Sequence, residues 1–250
     1  MNQNDLRPVG EAVGYVAPSA PGPDRIAGQF VVLERLDAAR HGETIWQAAQ
    51  GADWIWDYLG YGPFPEAAAY AEWVARMQAG ADPCFYAIRP QAGAALGVVS
   101  LLRTDTANGS TEIGHVLMTP PLQRTPEASE ALILMVRWAM EAGYRRLEWK
   151  CDALNGPSRR AAQRLGFTFE GVFRQHMIYK GRNRDTAWFS MLDSEWPALR
   201  DAYDAWLAPD NFDASGQQRR SLSALTDAAL PGRGVRRCRQ RPSADPEPVR

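Results

Sequence analysis

The 250-residue sequence predicts an α/β domain, and three observations predict it. Strand-like and helix-like runs alternate along the chain. Three β-rich runs between Cys84 and Met118 are separated only by short turns, as in an antiparallel meander. A long apolar helix then follows Pro120-Pro121, within the stretch "QRTPEASEALILMVRWAMEAG" from Gln123 to Gly143.

Taken in order, "QFVVLERL" (29–36) reads as a first strand, and "DAARHGETIWQAAQ" (37–50) as a helix in which apolar groups recur at three and four residues. "GADWIWDYLGYGPFP" (51–65) is dense in aromatics and broken by Gly and Pro, so it is expected to be a loop. It leads into a helix bracketed by Pro65 and Gly80. Strands are expected at 84–90, 95–105 and 111–118, with "QAGA" and "NGS" as the turns between them. The long helix has Thr125 as a good N-cap, Pro126 at its first position, where a missing N–H costs nothing, and Glu127 favourably placed against the positive helix end. After Gly143 come a strand (145–152), a loop (153–157), a helix (158–166), two strands (167–180 and 185–193) around the turn "GRNR", and a last helix (194–207).

Composition sets the boundaries. Residues 1–27 hold four prolines and three glycines with few large apolar groups, too little to offset chain entropy, and are expected to form a disordered arm. Residues 28–212 are expected to be the folded domain. Residues 213–250 carry eight arginines against four acids and are expected to be a disordered basic tail, net +4 beside a body of net −5. The run "RGVRRCRQR" has no interleaved aromatic for base stacking, so a solvated tail is expected and nucleic acid is not an expected partner. There is no apolar run of the ~18 residues that a membrane span needs, and no basic-then-apolar start of a secretory signal, so a cytoplasmic protein is expected. Cys84, Cys151 and Cys238 are too far apart for a disulfide framework or a zinc pattern. His41, His115 and His176 show no ligand pairing, so no metal is expected.

A helix start after a strand favours anions, because unpaired N–H groups and the helix dipole meet there. Read with "NGPSRRAAQRLGF" (155–167), this order of strand, loop, helix, strand and N-x-x-S helix ending in L-G-F resembles the GNAT acyl-CoA N-acyltransferases. The closing "FEGVFRQHMIYKGRNRDTAWFSML" resembles their Rim-type branch, which acetylates protein N-termini. The resemblance covers roughly residues 28–195. It implies a mixed, mostly antiparallel sheet splayed near its centre, with helices on both faces, and acetyl-CoA as co-substrate.

Carried over residue by residue, the resemblance implies that the backbone of Leu117 and Met118 meets pantetheine, and that the loop at Gln123, Arg124, Thr125, Glu127, Ala128 and Ser129 binds the pyrophosphate. Pro126 stands where the family motif has its first glycine, which removes one donor. Asn155 would hold the pantetheine arm and Ser158 would meet the departing sulfur, although both also read as caps of the helix that follows. Glu112 is the candidate base if burial raises its pKa, and an ion-paired strand carboxylate is the competing reading. Glu170 is a rival base; Tyr179 could donate a proton, but its place close to a hairpin turn favours a structural role. Trp54, Trp56, Tyr58 and Tyr61 fall where the family builds its acceptor wall, although single aromatics also fill cores. The expected acceptor is a primary amine, first of all the N-terminus of a ribosomal protein; aminoacyl-nucleotides or other small amines come second, and a non-catalytic acyl-CoA module third. Direct attack ranks above an acyl-enzyme on Cys84 or Cys151. The expected state is monomer or homodimer.

Overall fold

The structure, a computed structural model, describes residues 9–232. Eight strands form one sheet: β1 (Arg25–Ala27), β2 (Val31–Arg35), β3 (Cys84–Pro90), β4 (Gly97–Asp105), β5 (Ser110–Met118), β6 (Arg146–Asp152), β7 (Thr168–Tyr179) and β8 (Arg182–Leu192). Their spatial order is β1-β2-β3-β4-β5-β6-β8-β7. Every neighbouring pair is antiparallel except β5 and β6, which run parallel. A parallel pair needs a long crossover, and the α-helix α3 (Pro126–Glu141) supplies it.

Alternation along β3 shows how the layers are built. Cys84, Tyr86 and Ile88 face one way, into a core with Ile133, Met135 and Val136 of α3. Phe85 and Ala87 face the other way, into a core with Ile45 of α1 (Ala38–Ala48) and Tyr70, Trp73 and Val74 of α2 (Ala67–Gln78). α3 is buried on nearly every side because it lies between the sheet and α5 (Trp196–Leu207), whose Leu199, Tyr203 and Trp206 join the first core. α4 (Gly156–Leu165) adds Ala162 and Leu165 to that core, so helices lie on both faces as expected.

The expected boundaries shift at both ends. Residues 25–27 form the edge strand β1, and Tyr15 and Ser19 are tied to the domain by hydrogen bonds from Tyr15 Oη to the Thr106 carbonyl (2.8 Å) and from Tyr144 Oη to the Ser19 carbonyl (2.9 Å). Past residue 212 a further helix, α6 (Leu222–Ala229), is capped by Ser221 and buries Leu222. Its Thr226 hydroxyl donates to the Arg164 carbonyl at 3.1 Å, which fixes α6 against α4. Its short apolar repeat was hidden by the polar composition around it. The run "RGVRRCRQR" lies outside the described residues.

The β1–β2 turn depends on one acid. Glu130 of α3 is 1% exposed, and its carboxylate accepts the N–H groups of Gln29, Phe30 and Val31 at 2.6, 2.6 and 2.9 Å. Only glycine fits at position 28, because a Cβ there would stand 2.5 Å from Glu130 Cδ. Hydrogen bonds to a charged acceptor contribute roughly 1.5–3 kcal/mol each. Glu130→Gln turns an amide N–H₂ toward those donors, so it is expected to cost about 3 kcal/mol in urea unfolding while the folded state keeps its secondary structure by circular dichroism.

Candidate active site

The site begins where the central strand changes partners. β5 pairs with β6 only from Ser110↔Arg146 to Ile113↔Trp149. On its other side the register slips, so that the step from Val98 to Ser100 in β4 faces the longer step from Gly114 to Leu117 in β5. This is a β-bulge, and His115 within it has φ +50°. A bulge bends its strand and increases the local twist. Beyond it, β5 and β6 part, and a cleft of about 1280 Å³ opens between them toward the starts of α3 and α4.

At one end of the cleft lies the first turn of α3. Thr125 Oγ1 accepts from Ala128 N at 3.2 Å, and Pro126 has no N–H, so within this turn Glu127 is left to offer an amide beyond the helix end. The Ser129 hydroxyl donates back to the Thr125 carbonyl, and Ser129 Oγ accepts from Arg164. Gln123 Nε2 donates to the Met118 carbonyl at 2.8 Å, which pins the end of β5. Thr125, Ala128 and Ser129 line the cleft; the Glu127 side chain does not. Arg124, in the left-handed region at φ +62°, lines it together with Arg160 and Arg164 of α4. These last two were overlooked, although their i, i+4 spacing puts them on one helix face, a signal present in "SRRAAQR".

Midway along, Asn155 is the N-cap of α4, with Oδ1 accepting from Ser158 N at 3.0 Å. The capping reading therefore holds for Asn155. Ser158 caps nothing: its Oγ accepts from Trp149 Nε1 at 3.0 Å, and it lines the cleft. Cys151 beside it is pushed up to about 11 by burial, an effect partly offset by the Ser158 hydroxyl, and burial also raises Cys84. Burial thus disfavours the thiolate form of both, which is the form an acyl-enzyme would need. Met118 lines the cleft, whereas Leu117 does not: it is 1% exposed with its side chain in the α1–α2 core, on the opposite face of the strand from a ligand in the cleft.

Glu112 is 3% exposed and follows the ion-paired reading. Its Oε2 lies 2.8 Å from Arg103 and 3.0 Å from Lys150 Nζ. Lys150 continues to Glu148 at 2.8 Å and sits 3.8 Å over the Trp188 ring; Glu148 continues to Arg146, and Arg146 to Glu170. The two candidate bases thus belong to one chain of ion pairs that runs from Arg103 to Glu170. Glu170 does not reach the cleft.

The aromatic loop divides. Trp54 is 56% exposed and, with Tyr58, lines the cleft mouth. Trp56 is 3% exposed and belongs to the core with Phe64 and Tyr70, so it is not part of an acceptor wall. A 3-10 turn at Asp53–Trp56 makes this division, and Gly62 allows it, since a Cβ there would stand 2.5 Å from Trp56 Cε3. Tyr61 is also in that core, beside His115 Nδ1 at 3.2 Å. Tyr179 lines the cleft and donates to Asp152 Oδ2 at 3.2 Å; burial and the Asp152 charge push the phenol up to about 12.

A family model, the acetyltransferase (GNAT) domain, matches residues 31–168. The chain belongs to the GNAT acetyltransferase family. A GCN5-related N-acetyltransferase from Brucella melitensis is 44% identical over 86% of this chain and 99% of its own, with a TM-score of 0.83. A probable acetyltransferase of the GNAT family from Chromobacterium violaceum is 41% identical over 78% of this chain and 100% of its own, TM-score 0.73. The microcin C7 self-immunity acetyltransferase MccE, solved with acetyl-CoA and AMP, shares the fold at 20% identity over 69% of this chain and 98% of its own, TM-score 0.60. No curated protein matches the sequence. The GNAT family performs acetyl-CoA-dependent acyl transfer, and the splayed GNAT sheet expected from the sequence is the one observed. Among the described residues, no group of three His, Cys, Asp or Glu could hold a metal ion, and no helix is long and apolar enough to cross a membrane.

His115 gives this site a pH signature. Burial, with a smaller contribution from Arg103, lowers its pKa from the ordinary 6.5 to about 4. Between those values the unfolded chain binds a proton that the folded chain does not, so this contribution is intact above about pH 6.5 and is lost as pH falls toward 4, about 3 kcal/mol in all. His115→Asn keeps a residue that tolerates positive φ. Urea midpoints at pH 7 and 4.5 are expected to differ less in this variant than in the parent protein.

Proposed function

We propose that this GNAT domain transfers an acetyl group from acetyl-CoA to a primary amine by direct attack of the amine on the thioester. The observation that carries this reading is the parting of β5 from β6 opposite the start of α3, with Ser158 beside the gap. Acetyl-CoA supplies the activated acyl group. The residues present fit it: Arg124, Arg160, Arg164 and the Glu127 N–H would hold its phosphates, the open edges of β5 and β6 would flank its pantetheine arm, and the Ser158 hydroxyl would donate to the departing sulfur. Three arginines thereby compensate for the donor lost at Pro126, because a guanidinium binds phosphate in two-pronged fashion and keeps its charge at any working pH.

The resemblance of "KGRNRD" to the Rim-type branch supports the N-terminus of a ribosomal protein as acceptor. A second reading, an amine carrying a flat group such as an aminoacyl-nucleotide, is favoured by one observation, the exposed Trp54 face at the cleft mouth. The MccE neighbour, solved with acetyl-CoA and AMP, makes the two worth separating. Thiol release from acetyl-CoA, followed with alanine- and serine-initiated peptides, aminoacyl-adenylate analogues and small amines, distinguishes them. No release with any amine, together with no calorimetric binding of acetyl-CoA, would overturn the transferase reading.

Ser158→Ala is expected to lower kcat at least tenfold while the acetyl-CoA Kd stays within a factor of two, since the hydroxyl acts on charge that develops only as the thiolate leaves. Asn155→Ala should weaken both. Glu112→Gln is expected to lower Tm through the broken ion-pair chain and to reduce kcat less than tenfold. A loss above a hundredfold with Tm unchanged would instead make Glu112 the base.

A further inference from the structure

The acceptor end of the cleft contains a carboxylate that nothing described so far uses. Asp152, the last residue of β6, is 7% exposed, yet it lines the cleft. Its Oδ1 accepts from Leu154 N at 2.8 Å and its Oδ2 from Tyr179 Oη at 3.2 Å. Both partners are neutral donors. Among the described residues no basic side chain forms an ion pair with it, although Glu112 and Glu148 on the same sheet face each have a cationic partner. A carboxylate withdrawn from water is stabilised by a directly paired cation, and Asp152 has two neutral hydrogen bonds in that place.

The walls around Asp152 are tied in place. Tyr58 Oη donates to the Leu154 carbonyl at 3.3 Å, and Lys180 Nζ, from the β7–β8 turn, donates to the Trp56 carbonyl at 2.7 Å. The loop bearing Trp54 and Tyr58 is therefore bonded both to the β6–α4 loop and to the hairpin. Trp54, Tyr58, Met177 and Tyr179 line the chamber that results. It offers flat and apolar surface around the Asp152 carboxylate, with Arg184 of β8 packed on the Tyr179 ring at its edge.

Resting on the transferase reading of this cleft, we propose that Asp152 is the binding residue for the acceptor: it pairs with the ammonium form of a primary amine whose neighbouring flat or apolar group lies against Trp54 and Tyr58. Tyr179 is the positioning residue. Its hydroxyl holds one carboxylate oxygen from the hairpin side and leaves the Asp152 lone pairs that face the chamber to the ammonium. A cation is selected over a neutral isostere because only the cation compensates the buried charge.

The test uses the full chain without coenzyme, so that it does not depend on acetyl-CoA binding. The probes are 2-phenylethylamine, protonated at pH 7, and its neutral isostere 2-phenylethanol, titrated by ligand-observed NMR. The amine is expected to bind at least tenfold more tightly than the alcohol. Asp152→Asn is expected to abolish that preference with its circular-dichroism melt close to that of the parent. Tyr179→Phe, which leaves the carboxylate in place, should keep the preference and weaken amine binding only a few fold. Equal binding of amine and alcohol by the parent chain, or an amine preference that survives in Asp152→Asn, would overturn the proposal. Because acetyl-CoA affinity is measured separately, a chain that prefers the amine but binds no coenzyme would sink the transferase reading and leave the ammonium site standing.

Discussion

Strand β5 pairs with neighbours on both sides along its first half and with β4 alone along its second, and the change comes at the bulge around His115. Backbone N–H and C=O groups are strong hydrogen-bonding groups that are rarely left unpaired inside a protein. The second half of β5 therefore presents an open edge in the middle of a sheet, where an extended ligand can lie as a strand would. The bulge holds a residue at positive φ, and the half-buried His115 ring is held there by Tyr61 and Phe85. Both rings come from the α1–α2 side, so the helices inserted between β2 and β3 help fix the shape of a cleft formed by strands far along the chain.

Charge is distributed along this opening in an order that follows the secondary structure. Arginines from the loop before α3 and from α4 line the cleft with the first turn of α3, which Arg164 touches at Ser129, so side-chain charge and the α3 dipole favour the same anion. The middle carries Arg103, Glu112, Lys150 and Glu148, two cations and two carboxylates joined by ion pairs. The far end holds Asp152, with which no basic side chain among the described residues forms an ion pair. Under the proposed reading the phosphates of acetyl-CoA would lie at the arginine end and the amine at the Asp152 end.

Much of this was legible in the sequence because it rests on local signals. The α3 start was fixed by Thr125, Pro126 and Glu127; the α4 cap by Asn155; the strands of the meander by alternation and short turns. What was missed depends on contacts distant in sequence. The pairing of Glu112 with Lys150 needs the parallel register of β5 and β6, which no local pattern states. Asp152 gains its setting from Tyr179 on a hairpin 27 residues away. The division of the aromatic loop, with Trp54 outward and Trp56 inward, turns on a short 3-10 turn whose period differs from both helix and strand. α6 was lost because composition was averaged over a tail that mixes a capped apolar turn with a basic run.

The proline in the phosphate loop shows how two levels of structure exchange roles. A glycine there would let the backbone approach an anion and would contribute an N–H, whereas Pro126 fixes φ and gives a firm first turn. Thr125 then spends its hydroxyl on capping Ala128, which takes a second amide out of use. The loop has gained rigidity and lost donors, and the deficit falls where Arg124, Arg160 and Arg164 converge. Burial disfavours the charged form of Arg164, so a phosphate arriving beside it would relieve a desolvation cost already met in folding. Anion binding by guanidinium groups decreases with salt more steeply than binding by backbone amides alone, because each fixed charge exchanges a counterion. Coenzyme affinity in this chain should accordingly be tied more closely to ionic strength than in a relative that keeps the glycine.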